Sequence, residues 1–178
     1  MKVTICSSSV ENIDNKYKES SQELLDYLVT IDNIELIWGA GDTSLMGMCY
    51  DTFTKANRLV HGYTTRKYED MISNLDKADI KVVDTTFDLK KGIFYDADTI
   101  IYLYGGIGSI SEFFAHLEEV RSNYDNKELI IYDTEGYYDK VLELLDYSIK
   151  EQFTKENVLN MFKVVHSLEE LKEIIKGE

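Results

Sequence analysis

The sequence predicts an α/β fold of the doubly wound kind, a mostly parallel sheet with helices on both faces, and three observations carry that prediction. Short apolar runs alternate with amphipathic stretches along the chain, which is the pattern of βαβ units. Five of the runs are near-continuous in branched aliphatic and aromatic residues, as strands buried on both faces require. Gly- or Ser-bearing turns follow the runs where strands of such a sheet lead into helices, and ligands of open α/β sheets bind on that side.

Taken in order, Val3 to Cys6 is the first strand and ends in Ser7-Ser8-Ser9. Leu24, Leu25, Leu28 and Ile31 then fall on one helical face. Ile34 to Trp38 is the second strand and stops at Gly39-Ala40-Gly41. Leu45 to Arg58 reads as a helix and Leu59 to Tyr63 as the third strand. Ile80 to Val83 and Thr99 to Tyr104 are further strands, separated by a helix near Leu89 to Tyr95. Residues 109–122 are helical, Leu129 to Tyr132 form a β-branched run, and Tyr137 to Lys150 alternate with helical period. Phe162 to Val165 adds a short strand before a last helix ending at Ile175. With no low-complexity segment, charge block or repeat, residues 1–178 read as one domain.

Composition narrows the function classes. The chain carries 19 Lys and Arg against 33 Asp and Glu, a net charge of −14, which repels phosphate backbones and argues against general nucleic-acid binding. Its 44% apolar content is too high for a disordered acidic tail. No run approaches the roughly 18 apolar residues of a membrane span, and MKVTICSSS lacks the plan of a signal peptide. Cys6 and Cys49 lie far apart without a CxxC pair, which suits a reducing compartment. The expectation is a cytoplasmic protein that binds neither nucleic acid nor membrane. Proline is absent, where an average chain carries roughly 5%.

Two glycine turns carry the candidate chemistry. The first, Gly39-Ala40-Gly41-Asp42-Thr43-Ser44, follows a strand and opens a helix. Its backbone N–H groups suit a phosphate, and Thr43 and Ser44 offer hydroxyls; helix capping alone would also account for them. The second, Gly105-Gly106-Ile107-Gly108-Ser109-Ile110-Ser111-Glu112, places three glycines within four residues after a buried strand. Ser109 and Glu112 have capping-box spacing. Alternatively, Glu112 is a carboxylate near a helix start, able to touch a ribose hydroxyl or to stabilise positive charge developing on a sugar.

Other residues weigh less. His61 ends a strand; His116 lies four residues after Glu112 without an evident third metal ligand, so no metal is expected. Arg66 and Lys67 follow the third strand as pocket cations or as surface charge. Tyr102, Tyr104, Tyr137 and Tyr138 read as core and interface residues, with Tyr104 able to stack. Cys6 reads as a small buried apolar residue.

YGGIGSISE resembles the PGGxGTxxE motif of the LOG (Lonely Guy) proteins, long mislabelled lysine decarboxylases, and WGAGDTSLMG resembles their YGGGSxGLMG segment. ICSSS is similar to the family's opening strand and Gly-Ser-Ser turn, and TEGYYDKVLELLDYSIKEQF to its NxxGYYxxLLxxxDxxxxxGF stretch. The resemblance covers nearly the whole chain in order. It implies a Rossmann-like fold, a homodimer, and binding of an AMP-like nucleoside monophosphate without metal or redox cofactor. It further implies hydrolysis of the N-glycosidic bond of cytokinin riboside 5′-monophosphates or AMP to free base and ribose 5-phosphate. Glu112 is then the catalytic carboxylate. Ser8, Gly39, Gly41, Thr43, Ser44, Gly105, Gly106, Gly108, Ser109 and Lys90 are the nucleotide- and phosphate-binding set.

The chain departs from the family at several places. An ungapped count puts the family's MHxRK motif on Thr86, Phe87, Asp88, Leu89 and Lys90. Only the lysine survives, and Leu89 stands at the arginine; a lysine lacks the planar fork of a guanidinium. Tyr104 replaces the motif proline, Ser109 its threonine and Asp42 a serine of the first turn. Glu118 to Asn123 replace TWxQLG at the substrate or dimer surface. Two classes follow: an N-glycosidic hydrolase, or a non-catalytic, sensor-like nucleotide-binding protein that lost the arginine. A ribosyl transferase is a weaker third.

Overall fold

The computed structural model describes residues 1–122 and 126–175. Among them seven parallel strands form one sheet: β1 (Lys2–Cys6), β2 (Glu35–Trp38), β3 (Val60–Thr65), β4 (Asp79–Val83), β5 (Thr99–Tyr102), β6 (Glu128–Tyr132) and β7 (Lys163–Val165). Their order in space is β4-β3-β2-β1-β5-β6-β7. The helices are α1 (Asn15–Leu28), α2 (Ser44–Lys55), α3 (Thr86–Tyr95), α4 (Ile107–Arg121), α5 (Asp139–Lys150) and α6 (Leu168–Ile174). The expected doubly wound α/β sheet is therefore present, and it is parallel throughout rather than mostly so.

Alternation along each strand splits the core in two. Val3 and Ile5 of β1 face a cluster with Leu24, Leu25, Leu28, Cys49 and Phe53 from α1 and α2, closed by Leu171 of α6. Cys6 faces the other cluster, with Ile93 and Phe94 of α3, Phe113 and Leu117 of α4, and Leu145 of α5. On that face Thr4 donates a 2.5 Å hydrogen bond to the Ile93 carbonyl, tying β1 to α3. Central strands with apolar side chains on both faces must be covered on both sides, which this arrangement does.

Element ends follow local chemistry. Asp14 accepts from the Lys16 amide and starts α1. Thr85 and Asp88 form a reciprocal capping box, so α3 begins at Thr86, earlier than the apolar pattern from Leu89 suggests. The Tyr137 and Tyr138 amides donate to the buried Asp133 carboxylate at 2.9 and 2.7 Å, and α5 therefore starts only at Asp139. The expected capping box of Ser109 with Glu112 does not form. The helix begins two residues earlier, with Gly106 as N-cap and its carbonyl accepting from the Ile110 amide at 3.0 Å. Of the segment Glu118 to Asn123, Asn123 lies outside the described residues.

One contact fixes how closely α3 approaches the sheet. A Cβ on Gly92 would lie 2.3 Å from the Tyr63 ring, and that ring is held by its hydroxyl, which donates to Asp96 and accepts from Lys81 at 3.0 Å. Overpacking a fixed neighbour costs about 1–3 kcal/mol. Gly92→Ala is expected to lower unfolding free energy in urea by that amount, and Tyr63→Leu in the same background to recover part of it.

Candidate active site

The strand order reverses between β1 and β5, which pair directly through Cys6 and Tyr102. After β1 the chain turns to α1 on one face; after β5 it turns to α4 on the other. The two loops diverge and leave a crevice at the carboxyl ends of the strands, the binding position of doubly wound sheets. A cavity of about 280 Å³ lies there. It is lined by Cys6 to Val10 after β1, Gly39 after β2, Met46 of α2, Ile93 of α3, and Gly106 to Ser109 with Glu112 at the start of α4.

The two glycine turns play different parts. A Cβ on Gly39 or Gly41 would meet the Met46 side chain at 2.9 and 2.8 Å, and one on Gly47 would meet the Asp42 carbonyl at 2.5 Å. These glycines thus let α2 pack onto its own turn. Thr43 donates its hydroxyl to the Ser9 carbonyl at 2.9 Å, and the Met46 amide donates to Ser8 at 3.1 Å. The first turn is a brace for the β1 loop. Gly39 lines the cavity, while Gly41, Thr43 and Ser44 stand outside its lining; the Ser44 hydroxyl is buried without a partner.

The second turn faces the cavity itself. A Cβ on Gly105 would strike the Ser109 hydroxyl at 2.1 Å, so that glycine serves close packing. Gly105 borders a neighbouring recess with Tyr17, Tyr104 and Tyr137. Around Gly106 and Gly108 nothing lies within 4 Å of an added Cβ, so packing gives no reason for either. With the Ile110 amide the first to be taken by the helix, the amides of Ile107, Gly108 and Ser109 lack intrahelical partners, and such a group of N–H donors favours an anion. The hydroxyls of Ser7, Ser8, Ser9 and Ser109 stand around them.

Glu112 is half-buried and lines the cavity from the first turns of α4. Burial pushes its carboxyl group up from 4.5 to about 7, against the opposing effects of a hydrogen bond with Cys6 and the charge of Lys90. The Cys6 thiol, buried and next to this carboxyl group, is held well above its ordinary range and so stays protonated. Lys90 does not line the cavity. Its ammonium group donates to the Ser111 hydroxyl at 2.5 Å and borders a recess between α3 and α4. Leu89, at the place of the family arginine, packs against the core.

His116 is a core group. Its Nε2 lies 3.2 Å from the Lys90 carbonyl, which only accepts, so Nε2 carries the proton and Nδ1 accepts from the Tyr102 hydroxyl at 2.7 Å. Burial holds it down to about 4, and it is neutral at pH 7. Arg66 pairs with Asp84 at 2.8 Å on the surface, away from the cavity. His61 bonds Glu35 at 2.9 Å. Tyr104 is buried, its hydroxyl 3.0 Å from those of Ser20 and Thr134. Among the described residues no group of three His, Cys, Asp or Glu is placed to hold a metal, and no helix is long and apolar enough to cross a membrane. Sequence reasoning missed Asp133 and the hydroxyls of Tyr137 and Tyr138, which donate to the Gly105 and Leu103 carbonyls at 2.6 Å and hold the second turn. The paired tyrosines of the GYY stretch were the available signal.

The family model described as possible lysine decarboxylase matches residues 46–175. A cytokinin riboside 5′-monophosphate phosphoribohydrolase of Arabidopsis thaliana is 26% identical over 172 residues, spanning 96% of this chain and 78% of that protein. Among solved structures, a molybdenum cofactor binding protein of Rippkaea orientalis superposes with a TM-score of 0.69 at 15% identity, covering 98% of this chain and 94% of that one. The molybdenum cofactor carrier protein of Chlamydomonas reinhardtii gives 0.67 at 13% identity, covering 98% and 95%. Likeness at such identities shows the fold alone.

The raised carboxyl group ties stability to pH. The folded chain binds the Glu112 proton more tightly than the unfolded chain does, so this stabilisation is full below about pH 4.5 and is lost as pH rises through about 7. Glu112→Gln, which imitates the neutral form, is expected to unfold at a higher temperature than the parent at pH 8, a gain of up to about 3 kcal/mol. At pH 4 the difference is expected to vanish. Thermal unfolding at the two pH values measures both.

Proposed function

The chain belongs to the family described as possible lysine decarboxylase, the group of the LOG proteins, and from that premise we propose that it hydrolyses the N-glycosidic bond of a purine or cytokinin nucleoside 5′-monophosphate. The observation that carries this reading is a lone carboxylate, Glu112, lining a cavity into which the free amides of Ile107 to Ser109 open. A 5′-phosphate on those amides brings the ribose over the carboxylate. As the bond between C1′ and the base nitrogen breaks, the electron pair leaves with the base and positive charge grows on the sugar. A buried negative charge is at its most effective against such a transition state. The water oxygen bonds to C1′, one of its protons passes to the departing base, and ribose 5-phosphate remains. In place of the guanidinium, Lys90 supplies positive charge near Glu112, held by Ser111. The protein acts in this reading as a cytoplasmic homodimer.

The test is incubation of the purified protein with AMP and with N6-modified analogues, free base being followed by chromatography. Base release is expected to rise with pH through about 7 as Glu112 ionises. Glu112→Gln is expected to cut it by about 100-fold or more, and Lys90→Ala by about tenfold, whereas Arg66→Ala leaves it unchanged. Nucleotide binding with no base above buffer, or release undiminished in Glu112→Gln, overturns the reading, the former in favour of a nucleotide-binding protein.

A further inference from the structure

The second turn is held by its neighbours at successive carbonyls. Leu103 accepts from the Tyr138 hydroxyl at 2.6 Å, Tyr104 from the Ser8 amide at 3.0 Å, and Gly105 from the Tyr137 hydroxyl at 2.6 Å. Tyr137 is itself fixed. Its amide donates to the fully buried Asp133 carboxylate at 2.9 Å. Its ring packs edge-on against those of Tyr104 and Tyr138, with centroids 5.9 and 5.2 Å away. Burial raises the Tyr137 hydroxyl above its ordinary value, so it keeps the proton that it donates.

We propose that Tyr137 is a positioning residue for a bound phosphate: by holding the Gly105 carbonyl on its own side, it turns the Gly106 N–H into the cavity as a donor to the anion. The inference rests on the reading of the second turn as the phosphate site. The peptide between Gly105 and Gly106 is trans, so its carbonyl and its N–H point in opposite directions. Tyr137 lines the neighbouring recess and not the cavity, while Gly106 lines both. A carbonyl drawn toward Tyr137 therefore sends the N–H toward the cavity. That amide has no partner among the described residues, and it adjoins the free amides of Ile107, Gly108 and Ser109. A tether is needed here because a glycine stands on each side of the peptide, and glycines adopt either sign of φ at little cost. A donor on the carbonyl also polarises the same peptide and strengthens its N–H.

Tyr137→Phe removes one oxygen and keeps the ring. Tyr27→Phe is its control, because Tyr27 donates its hydroxyl to the Ile175 carbonyl at 2.8 Å, away from the cavity. Both are expected to lower the unfolding temperature by about 2–4 °C. Binding is measured by titrating ribose 5-phosphate and inorganic phosphate, by calorimetry and by NMR of protein isotope-labelled at the glycine nitrogens. The Gly106 amide is assigned by its disappearance in Gly106→Ala. In the parent, the Gly106 and Gly108 amides are expected to shift as phosphate binds. In Tyr137→Phe the Gly106 response is expected to be lost while Gly108 still responds, and affinity to fall about five- to tenfold. Tyr27→Phe is expected to match the parent. With AMP, Tyr137→Phe is expected to raise KM by a similar factor and leave kcat within about twofold, since the phosphate is held in ground and transition states alike. An unchanged affinity and Gly106 response in Tyr137→Phe, or equal losses in both variants, overturns the proposal. So does a parent whose Gly106 amide stays still while Gly108 moves, a result that needs no variant and decides the matter if Tyr137→Phe does not fold. If neither amide moves in the parent, the second turn is not the phosphate site and the proposal falls with it. If the titrations succeed and the parent releases no base, the hydrolase reading fails while the role of Tyr137 stands.

Discussion

The parallel pairing of β1 with β5 is the contact on which the rest of the molecule depends. Right-handed crossovers carry the chain from β1 outward through β2 and β3 with α1 and α2 on one face, then back through α3 to β5 and on to β6 with α4 on the other. Two neighbouring strands therefore release their chains in opposite directions at the same end of the sheet. Nothing in such a layout can fill the gap between the two loops. The cavity lined by Glu112 is a product of topology before it is a product of side chains. Hydrogen bonds then hold its rim in place, Ser8 to Tyr104 at 3.0 Å and Met46 to Ser8 at 3.1 Å.

In the proposed reading an acidic chain must hold an anion, and the means it has for that are dipolar. At a net charge of −14, long-range fields repel a phosphate. Against this stand amides at a helix start and a ring of serine hydroxyls, which are neutral and act at short range. The lysine nearest the site is tethered to Ser111 outside the cavity. Inside, the half-buried carboxylate sits next to the place where an anion would lie, and its tendency to hold a proton near neutral pH eases that conflict. Stability is spent on this arrangement, as reactive sites commonly require.

Much of the fold was legible in the sequence, for physical reasons visible in particular elements. All seven strands stand where apolar runs mark them, the central ones most plainly, because a strand covered on both faces has no polar positions to spare, whereas edge strand β4 exposes Asp79 and Lys81. Ends were less legible. α3 starts at Thr86, ahead of the apolar pattern from Leu89, because Thr85 and Asp88 cap it, and α4 starts at Ile107 behind Gly106 rather than at the serine with capping-box spacing. At the site, the motif and its spacing mark the second glycine turn and Glu112, and both line the cavity. The first turn was not: whether a glycine makes room for a ligand or for a methionine of its own helix depends on where Met46 folds back. That Cys6 and Glu112 line one cavity joins residues 106 positions apart and leaves no periodic trace.

Gly106 and Gly108 give the site a property of a different kind. Most glycines of this chain answer to the fold: a side chain at Gly92, Gly105 or Gly47 collides with protein. A Cβ at Gly106 or Gly108 meets nothing within 4 Å, so contact with the surrounding protein does not require a bare backbone at either position. In the proposed reading, the space they leave open is where the phosphate of a nucleotide would lie. The second turn thus separates two histories that are usually entangled, the demands of a stable core and the demands of a guest. In the proposed reading, a methyl group at either position would crowd the guest and leave the sheet as it is.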